Sequence, residues 1–442
     1  MSLKTFRGGV HPHENYNGKS LTGRMPTEVA PAPEQVAILL SQSVGAPCTP
    51  LVKAGERVFM GQKIGEPKGF VGAPVHASVS GKVLGIKQRA NALGAAMPAI
   101  VIENDGLDEW DPSIQPMNPD QMDVQQLLSA IREMGIVGLG GAAFPTAVKL
   151  APPPEKHIDT LILNGGECEP YLTSDHRTML ERPESVVDGL MIARRILSAE
   201  RAFIGVEDNK MDAVAALTQA AQGKDIKVVP LMAKYPQGGE KQMIQVLTGR
   251  QVPSGKLPMD AGCVVINVST AAAISECLRS GRPLIERTIT VTGQISRPRN
   301  LRVRVGESMG DLIALCGGQL PGVNKVVLGG PMMGFSAYNL DTPVVKGTSG
   351  VLLLEDDTKH SKPVSNCIRC AKCARACPIH LLPMTLHALS ERERFDETKD
   401  CHAMDCIECG ACSFICPAKL PLVQSIRVAK RELTKRSKRA QA

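Results

Sequence analysis

One cysteine pattern, C-x2-C-x2-C-x3-C-P, occurs twice and constrains this chain more than any other feature. Its copies are Cys367, Cys370, Cys373 and Cys377 before Pro378, and Cys406, Cys409, Cys412 and Cys416 before Pro417. Three closely spaced thiolates can wrap one face of an iron–sulfur cubane, while the fourth, beside a loop-ending proline, points toward the other cluster. The spacing therefore predicts crossed ligation. One [4Fe–4S] cluster takes Cys367, Cys370, Cys373 and Cys416, and the second takes Cys406, Cys409, Cys412 and Cys377. Structural zinc fits less well, because zinc sites usually use two C-x2-C pairs separated by a loop. So many thiols in a chain without a signal-peptide apolar region imply a reducing compartment and argue against disulfides. The remaining six cysteines (Cys48, Cys168, Cys263, Cys277, Cys316 and Cys401) are scattered and read as small buried hydrophobes.

The 442 residues exceed what one compact core organises, so about three or four domains are expected. Only 3% of residues are aromatic, with a single Trp, which leaves few stacking platforms for single-stranded nucleic acid; no nucleic-acid partner is expected. No apolar run reaches the length of a membrane helix, so the chain is expected to be cytosolic and non-spanning. The net charge of +7 is mostly local: residues 427–439 hold seven Lys/Arg against one Glu. Such a tail suits a solvated terminus, anionic lipid or an acidic partner.

Residues 1–115 are rich in Pro and Gly, with short β segments in "LVKAGERVFMGQKIGEP" and "APVHASVSGKVLGI". They resemble the barrel-sandwich hybrid of lipoyl and biotinyl domains, without the modified lysine at the expected tip. His76, His11 and His13 could serve as ligands, but ordinary surface or strand positions are the simpler reading. Residues 116–280 alternate helices (122–133, 184–198, 210–221) with the strands "DTLILNG", "RAFIGVE" and "IKVVPLMA", which predicts an α/β domain with a mainly parallel sheet. Residues 281–350 suggest a small β-grasp domain, residues 351–426 carry the cysteine motifs, and 427–442 form the basic tail.

"GLGGAAFPTAVKL" (138–150) removes side chains at Gly138, Gly140 and Gly141, where backbone N–H groups could reach a phosphate, and Lys149 could match its charge. The loop follows a helix rather than a strand, so it is not a dinucleotide fingerprint, and taken alone it is better read as a glycine-rich connection without a ligand. "NGGECEP" (164–170) closes a predicted strand with Glu167 and Glu169 at its carboxyl end, where open α/β sheets bind ligands. "YPQGGE" (235–240) opens a helix with a second glycine pair, and "VINVST" (265–270) ends another strand.

Together these four segments resemble the flavin site of the NADH-oxidising subunit of respiratory complex I and its soluble relatives. With a leading barrel-sandwich module and the trailing β-grasp and ferredoxin-like segments, the chain is similar to the C-subunit family of the Rnf ion-translocating ferredoxin:NAD+ oxidoreductase over about residues 1–425. The resemblance implies a multidomain α/β and α+β protein: a barrel-sandwich hybrid, a Rossmann-like FMN/NADH domain, a β-grasp (SLBB-like) domain and a helical two-[4Fe–4S] ferredoxin-like domain. It implies FMN, two [4Fe–4S] clusters and NAD(H). Gly138, Gly140, Gly141 and Lys149 would approach the FMN phosphate and ribityl chain, and Phe144 would stack near the nicotinamide. Asn164, Glu167, Tyr235, Asn267 and Thr270 match positions around the flavin, and Glu169 and Glu240 match acidic positions near NADH. This chain departs from complex I at Leu139 (Arg there), Gly166 (Asp) and Gly239 (Glu). The implied setting is peripheral, on the cytoplasmic side of the cell membrane, with membrane and ferredoxin-interacting subunits as partners and coupling to Na+ or H+ translocation. An NADH-dependent cobalamin (corrin) reductase of a bacterial microcompartment is the alternative; in that family the barrel-sandwich module follows the clusters, whereas here it leads.

Overall fold

A computed structural model describes residues 3–12, 18–355 and 363–441. The chain opens with a segment that returns to other domains. Strand β1 (Thr27–Val29) pairs in parallel with a strand near residue 300, so the region expected to be wholly barrel-sandwich sends its first part elsewhere. Strands β2 (Gln35–Leu39), β3 (Cys48–Pro50), β4 (Arg57–Val58), β5 (Lys63–Pro67), β6 (Val75–His76), β7 (Gly81–Ala90) and β8 (Ala96–Asn104) form two facing sheets, ordered β2-β8-β7-β4 and β3-β5-β6. Their inner residues, including Val36, Ile38, Ile64, Val83, Ile100 and Ile102, make one core. His76, between the core residues Val75 and Ala77, is buried instead against Gly135 at the domain junction, and burial first and Lys346 second push its imidazole well below its usual pKa. His11 is exposed, while His13 lies outside the described residues.

Helix α1 (Val124–Glu133) starts at Asp123, whose carboxylate accepts from Gln126 N–H while Gln126 reaches back, a reciprocal cap. Strands β9 (Thr160–Gly165), β10 (Arg201–Glu207), β11 (Lys227–Leu231) and β12 (Cys263–Asn267) form a wholly parallel sheet ordered β11-β10-β9-β12. Strand β9 reads as an unbroken apolar run because both faces are covered. One face packs on α4 (Pro183–Leu197) and α7 (Val268–Ser280), with α2 (Thr146–Lys149), α3 (Ser174–Glu181) and α5 (Met211–Ala220) nearby. The other face takes Phe6 and α6 (Glu240–Thr248).

Strands β13 (Glu286–Gly293), β14 (Arg299–Arg304), β15 (Lys325–Leu328), β16 (Phe335–Ser336) and β17 (Gly350–Leu354) join β1 in a six-stranded mixed sheet packed on α8 (Met309–Leu315). A buried Lys346 ties three domains together, donating from Nζ to Pro74 O at 2.8 Å and Gly135 O at 2.7 Å. The cysteine region is helical: α9 (Lys372–Ala376), α10 (Pro383–Ser390), α11 (Phe395–Asp400), α12 (Ala411–Ile415) and α13 (Leu422–Gln441). The charged stretch 391–400 thus contributes the short helix α11. The basic segment expected to stand apart from residue 427 continues α13, whose Ile426, Ala429 and Leu433 are buried and whose Arg427 and Lys430 pair with Glu408. Only beyond Leu433 are the described side chains all exposed.

Candidate functional site

The carboxyl ends of β9 and β12 lie side by side, with Asn164 opposite Asn267 in register. Asn267 caps α7, its Oδ1 accepting from Ser269 N–H at 2.8 Å, while its Nδ2 donates to Asp175 Oδ2 at 2.6 Å. Asn164 bridges outward, donating to Gly238 O at 2.7 Å and accepting from Gly166 N–H at 3.0 Å. That ties the strand end to the segment opening α6.

The glycine loop folds over these ends as a small hairpin. Gly138 N–H donates to Phe144 O at 2.8 Å, Val137 bridges Pro145, and Leu139 N–H donates to Thr270 Oγ1 at 2.9 Å. Gly140, Gly141 and Ala142 are left exposed. A Cβ on Gly140 would come within 2.4 Å of Asn267 Nδ2, so this glycine answers to a protein side chain. Gly141 faces open space, where an incoming group can meet bare main chain. Phe144 is half-buried. Lys149 Nζ lies 2.6 Å from Glu240 Oε1, at the start of α6, so two residues assigned to different ligand parts are in contact.

Three expected residues lie elsewhere in this neighbourhood. Glu167 turns to the start of α3, accepting from Asp175 N–H at 2.9 Å and His176 N–H at 3.2 Å; its carboxylate caps a helix. Glu169 is half-buried between domains, accepting from Met332 N–H at 3.1 Å, with its buried Oε1 unpartnered among the described residues. Burial pushes its carboxyl up to about 7. Tyr235 is fully buried, and its hydroxyl donates to the backbone oxygen of Cys409 at 2.7 Å. It thus joins the sheet to the second cysteine motif.

Sequence reasoning missed Asp175, Arg287 and Gln237. Asp175 holds Asn267 and Ser269, and buried Arg287 donates to Leu139 O at 2.5 Å, supporting the loop from beneath. Gln237 is fully buried with both amide atoms unpartnered among the described residues. Only Gln237 belongs to one of the glycine motifs; the other two are brought in by the fold.

In the cysteine region, the Cys377 thiol acts electrostatically on Cys406, Cys409 and Cys412, and the Cys416 thiol on Cys373. The fourth cysteine of each run therefore keeps company with the other run. Burial pushes the thiols of Cys409 and Cys412 up to about 12, so a metal cluster binding there must displace protons. No three His, Cys, Asp or Glu groups among the described residues converge as a single metal ion would need, whereas a cubane spreads its thiolates over separate irons. Of the unassigned cysteines, Cys48, Cys263, Cys277 and Cys316 are buried, and Cys168 and Cys401 partly so.

Both donor sets fit their groups: two thiol-rich runs whose fourth cysteines lie near the other run, and an open glycine loop with helix starts and polar side chains at parallel strand ends. Fold and site thus define a flavin- and iron–sulfur-binding oxidoreductase component. Four sequence profiles match in order: the RnfC barrel sandwich hybrid domain (4–107), the Nuo51 FMN-binding domain (131–276), the SLBB domain (288–336) and the 4Fe-4S dicluster domain (366–420). The C subunit of the Na(+)-translocating ferredoxin:NAD(+) oxidoreductase complex of Acetobacterium woodii is 51% identical, over 98% of each chain. The proton-translocating counterpart of Clostridium ljungdahlii is 49% identical over 97% of this chain and 94% of its own. The C subunit of an ion-translocating oxidoreductase complex of Rhodobacter capsulatus is 41% identical over 98% and 84%. The chain belongs to this family, the C subunits of multi-subunit ion-translocating ferredoxin:NAD(+) oxidoreductase complexes. A solved NAD+-reducing [NiFe]-hydrogenase in its H2-reduced state shares the fold at a TM-score of 0.50 and 19% identity, covering 72% of this chain and 61% of that one.

Proposed function

We propose that this chain exchanges hydride between NAD(H) and FMN at the glycine loop and passes single electrons between FMN and two [4Fe–4S] clusters, peripheral to the cytoplasmic side of a membrane complex. Bound FMN would supply the exchange between two-electron hydride and one-electron cluster chemistry. The chain's own residues bind, orient and exclude water. The exposed main chain at 140–142, with Asn164, Asn267 and Thr270 beneath it, would receive the flavin nucleotide, and Phe144 would stack near the nicotinamide. Lys149 would meet the phosphate, which must compete with Glu240 for the ammonium. Cys367, Cys370, Cys373 and Cys416 would hold one cluster; Cys406, Cys409, Cys412 and Cys377 the other. Glu167 serves this site as the cap of α3, and Glu169 from the interdomain seam rather than from the open loop.

The observation that carries this reading is the bond from Tyr235 to Cys409. It joins the segment opening α6 to Cys409, a proposed ligand of the second cluster, which supports placing that cluster next to the flavin. Anaerobic isolation followed by iron, sulfide and flavin analysis and an NADH titration tests it. One FMN and eight irons per chain, both bleached by NADH, are expected. Material that binds no FMN, or holds far fewer irons, overturns it.

No helix among the described residues is long and apolar enough to cross a membrane. Docking is assigned to partner subunits and to the exposed end of α13, where Lys435, Lys438 and Arg439 project. Removing residues 434–442, which spares the buried face of α13, should reduce retention on membranes carrying the complex. Unchanged retention rejects that role.

A further inference from the structure

The first described residues form a separate feature. Lys4 bridges Leu231 at the open edge of the parallel sheet, and Met232 N–H donates to Lys4 O at 3.0 Å. Phe6 is buried under that sheet. Lys234 sends its ammonium to the carbonyls of Phe6 and Gly8, the latter at 2.8 Å, and stands 4.0 Å over the Phe6 ring. Val10 and Tyr235 then exchange both backbone hydrogen bonds at 2.8 Å, while Gly9 N–H donates to Ala376 O at 2.9 Å. One short segment is therefore bonded to the sheet domain on one side and to the first cysteine motif on the other.

No side chain fits between them. A Cβ on Gly8 would lie 2.7 Å from Cys377 O, and one on Gly9 would lie 2.6 Å from Tyr235 O. Both glycines hold a positive φ, +94° and +81°, that L side chains rarely adopt. Under crossed ligation, Cys377 is the one ligand that the first motif gives to the second cluster. Cys409, another ligand of that cluster, is held by Tyr235, whose backbone is paired with Val10. The segment thus touches both halves of one ligand set.

We propose that residues 4–10 are a positioning strap that seats the second cluster against the flavin, with Gly8 and Gly9 setting the spacing. This rests on the cofactor assignment proposed above. Apart from the strap, the polar contacts described at this seam are few (Tyr235 to Cys409, Gln242 Nε2 to Pro378 O at 3.3 Å, and Asp405 with Ser254 and Gly255), beside apolar packing of Tyr235, Cys168 and Met332 on Cys409 and Ala411. Losing the strap should loosen the seam without emptying either cofactor site.

The test uses full-length holoprotein carrying Gly8→Val and, as a second variant that leaves the backbone free, Lys234→Met. Three quantities are read: FMN and iron content, stopped-flow reduction of flavin and of clusters by NADH, and deuterium uptake of peptides around 234–242 and 374–380. The expected result is unchanged content and unchanged flavin reduction, with cluster reduction slowed on the order of tenfold or more and faster deuterium uptake in both peptides. If both variants fold and load yet reduce their clusters at the wild-type rate, the strap is overturned, whatever the exchange shows. It is overturned equally if exchange is unchanged in both. Wild-type protein lacking FMN or half its iron would instead remove the cofactor assignment and the strap with it.

Discussion

Two cysteine runs with the same spacing differ at their leading ends. The first opens outward: Cys367 is exposed, and Val364 and Ile368 beside it are 64% and 69% accessible, although its Cys373 and Cys377 are buried. The second is turned inward: Cys409 and Cys412 are buried, and Tyr235, Val10, Met332 and Ala376 pack around the run. A repeat in sequence does not make a repeat in role. What separates the two is which one the sheet domain covers. On this reading the covered cluster stands next to the flavin and the open one faces partners of the complex.

The largest effects should come from breaking that asymmetry at the ligands. Cys409→Ser removes a buried thiol proposed to hold the inner cluster. It is expected to cut iron toward four per chain and to stop NADH from reducing either cluster while flavin reduction continues, followed optically under anaerobic conditions. Cys367→Ser should also lose iron but leave the inner cluster reducible by NADH, with passage to an external acceptor lost. Identical phenotypes would break the comparison.

Lys149→Ala should act on the flavin alone. Flavin retention after gel filtration is expected to fall by at least about tenfold, since a charge-assisted contact is worth roughly 1.5–3 kcal/mol, with iron unchanged. Normal flavin content would contradict a phosphate role and leave Lys149 as only the partner of Glu240. Gly141→Ala sharpens this further. Nothing lies within 4 Å of its added methyl in the protein itself, so any loss of FMN affinity would report the ligand, whereas Gly140→Ala would also disturb Asn267.

Tyr235→Phe is expected to be milder. It deletes one hydrogen bond to Cys409, worth about 1 kcal/mol, and should slow flavin-to-cluster transfer a few-fold with content intact. A matching change at the outer run should not touch that step.

The elements were largely legible in the sequence. The parallel strands announce themselves as apolar runs between amphipathic helices, and the cysteine spacing anticipates that the thiols of Cys377 and Cys416 lie near the other run. Placement between domains was not legible. Nothing near Lys4 or Phe6 signals that they leave the barrel-sandwich module for a sheet built more than 150 residues later. Nor does periodicity mark Asp175 or Arg287, whose roles arise only when α3, β13 and the glycine loop meet. Glu167 illustrates the same limit: its residue type and position suit a ligand site, but the start of α3 claims both oxygens.

The smallest effect isolates the seam of the inner run by pH. Glu169 holds Met332, whose carbonyl lies against Gly410 of the second motif. Its carboxyl, raised by burial from an ordinary value near 4.5 to about 7, binds its proton more tightly in the folded chain. That contribution to stability is complete below about pH 4.5 and is lost as pH rises through 7, where burial works against the charged form. Glu169→Gln keeps an acceptor for Met332 N–H and cannot ionise, so it should melt a few degrees higher than wild type at pH 8 and nearly with it at pH 5. Glu307, raised to about 7 by the same cause, is present in both proteins and cancels in the difference. A gap that does not widen between pH 5 and 8 would mean that Glu169 stays charged.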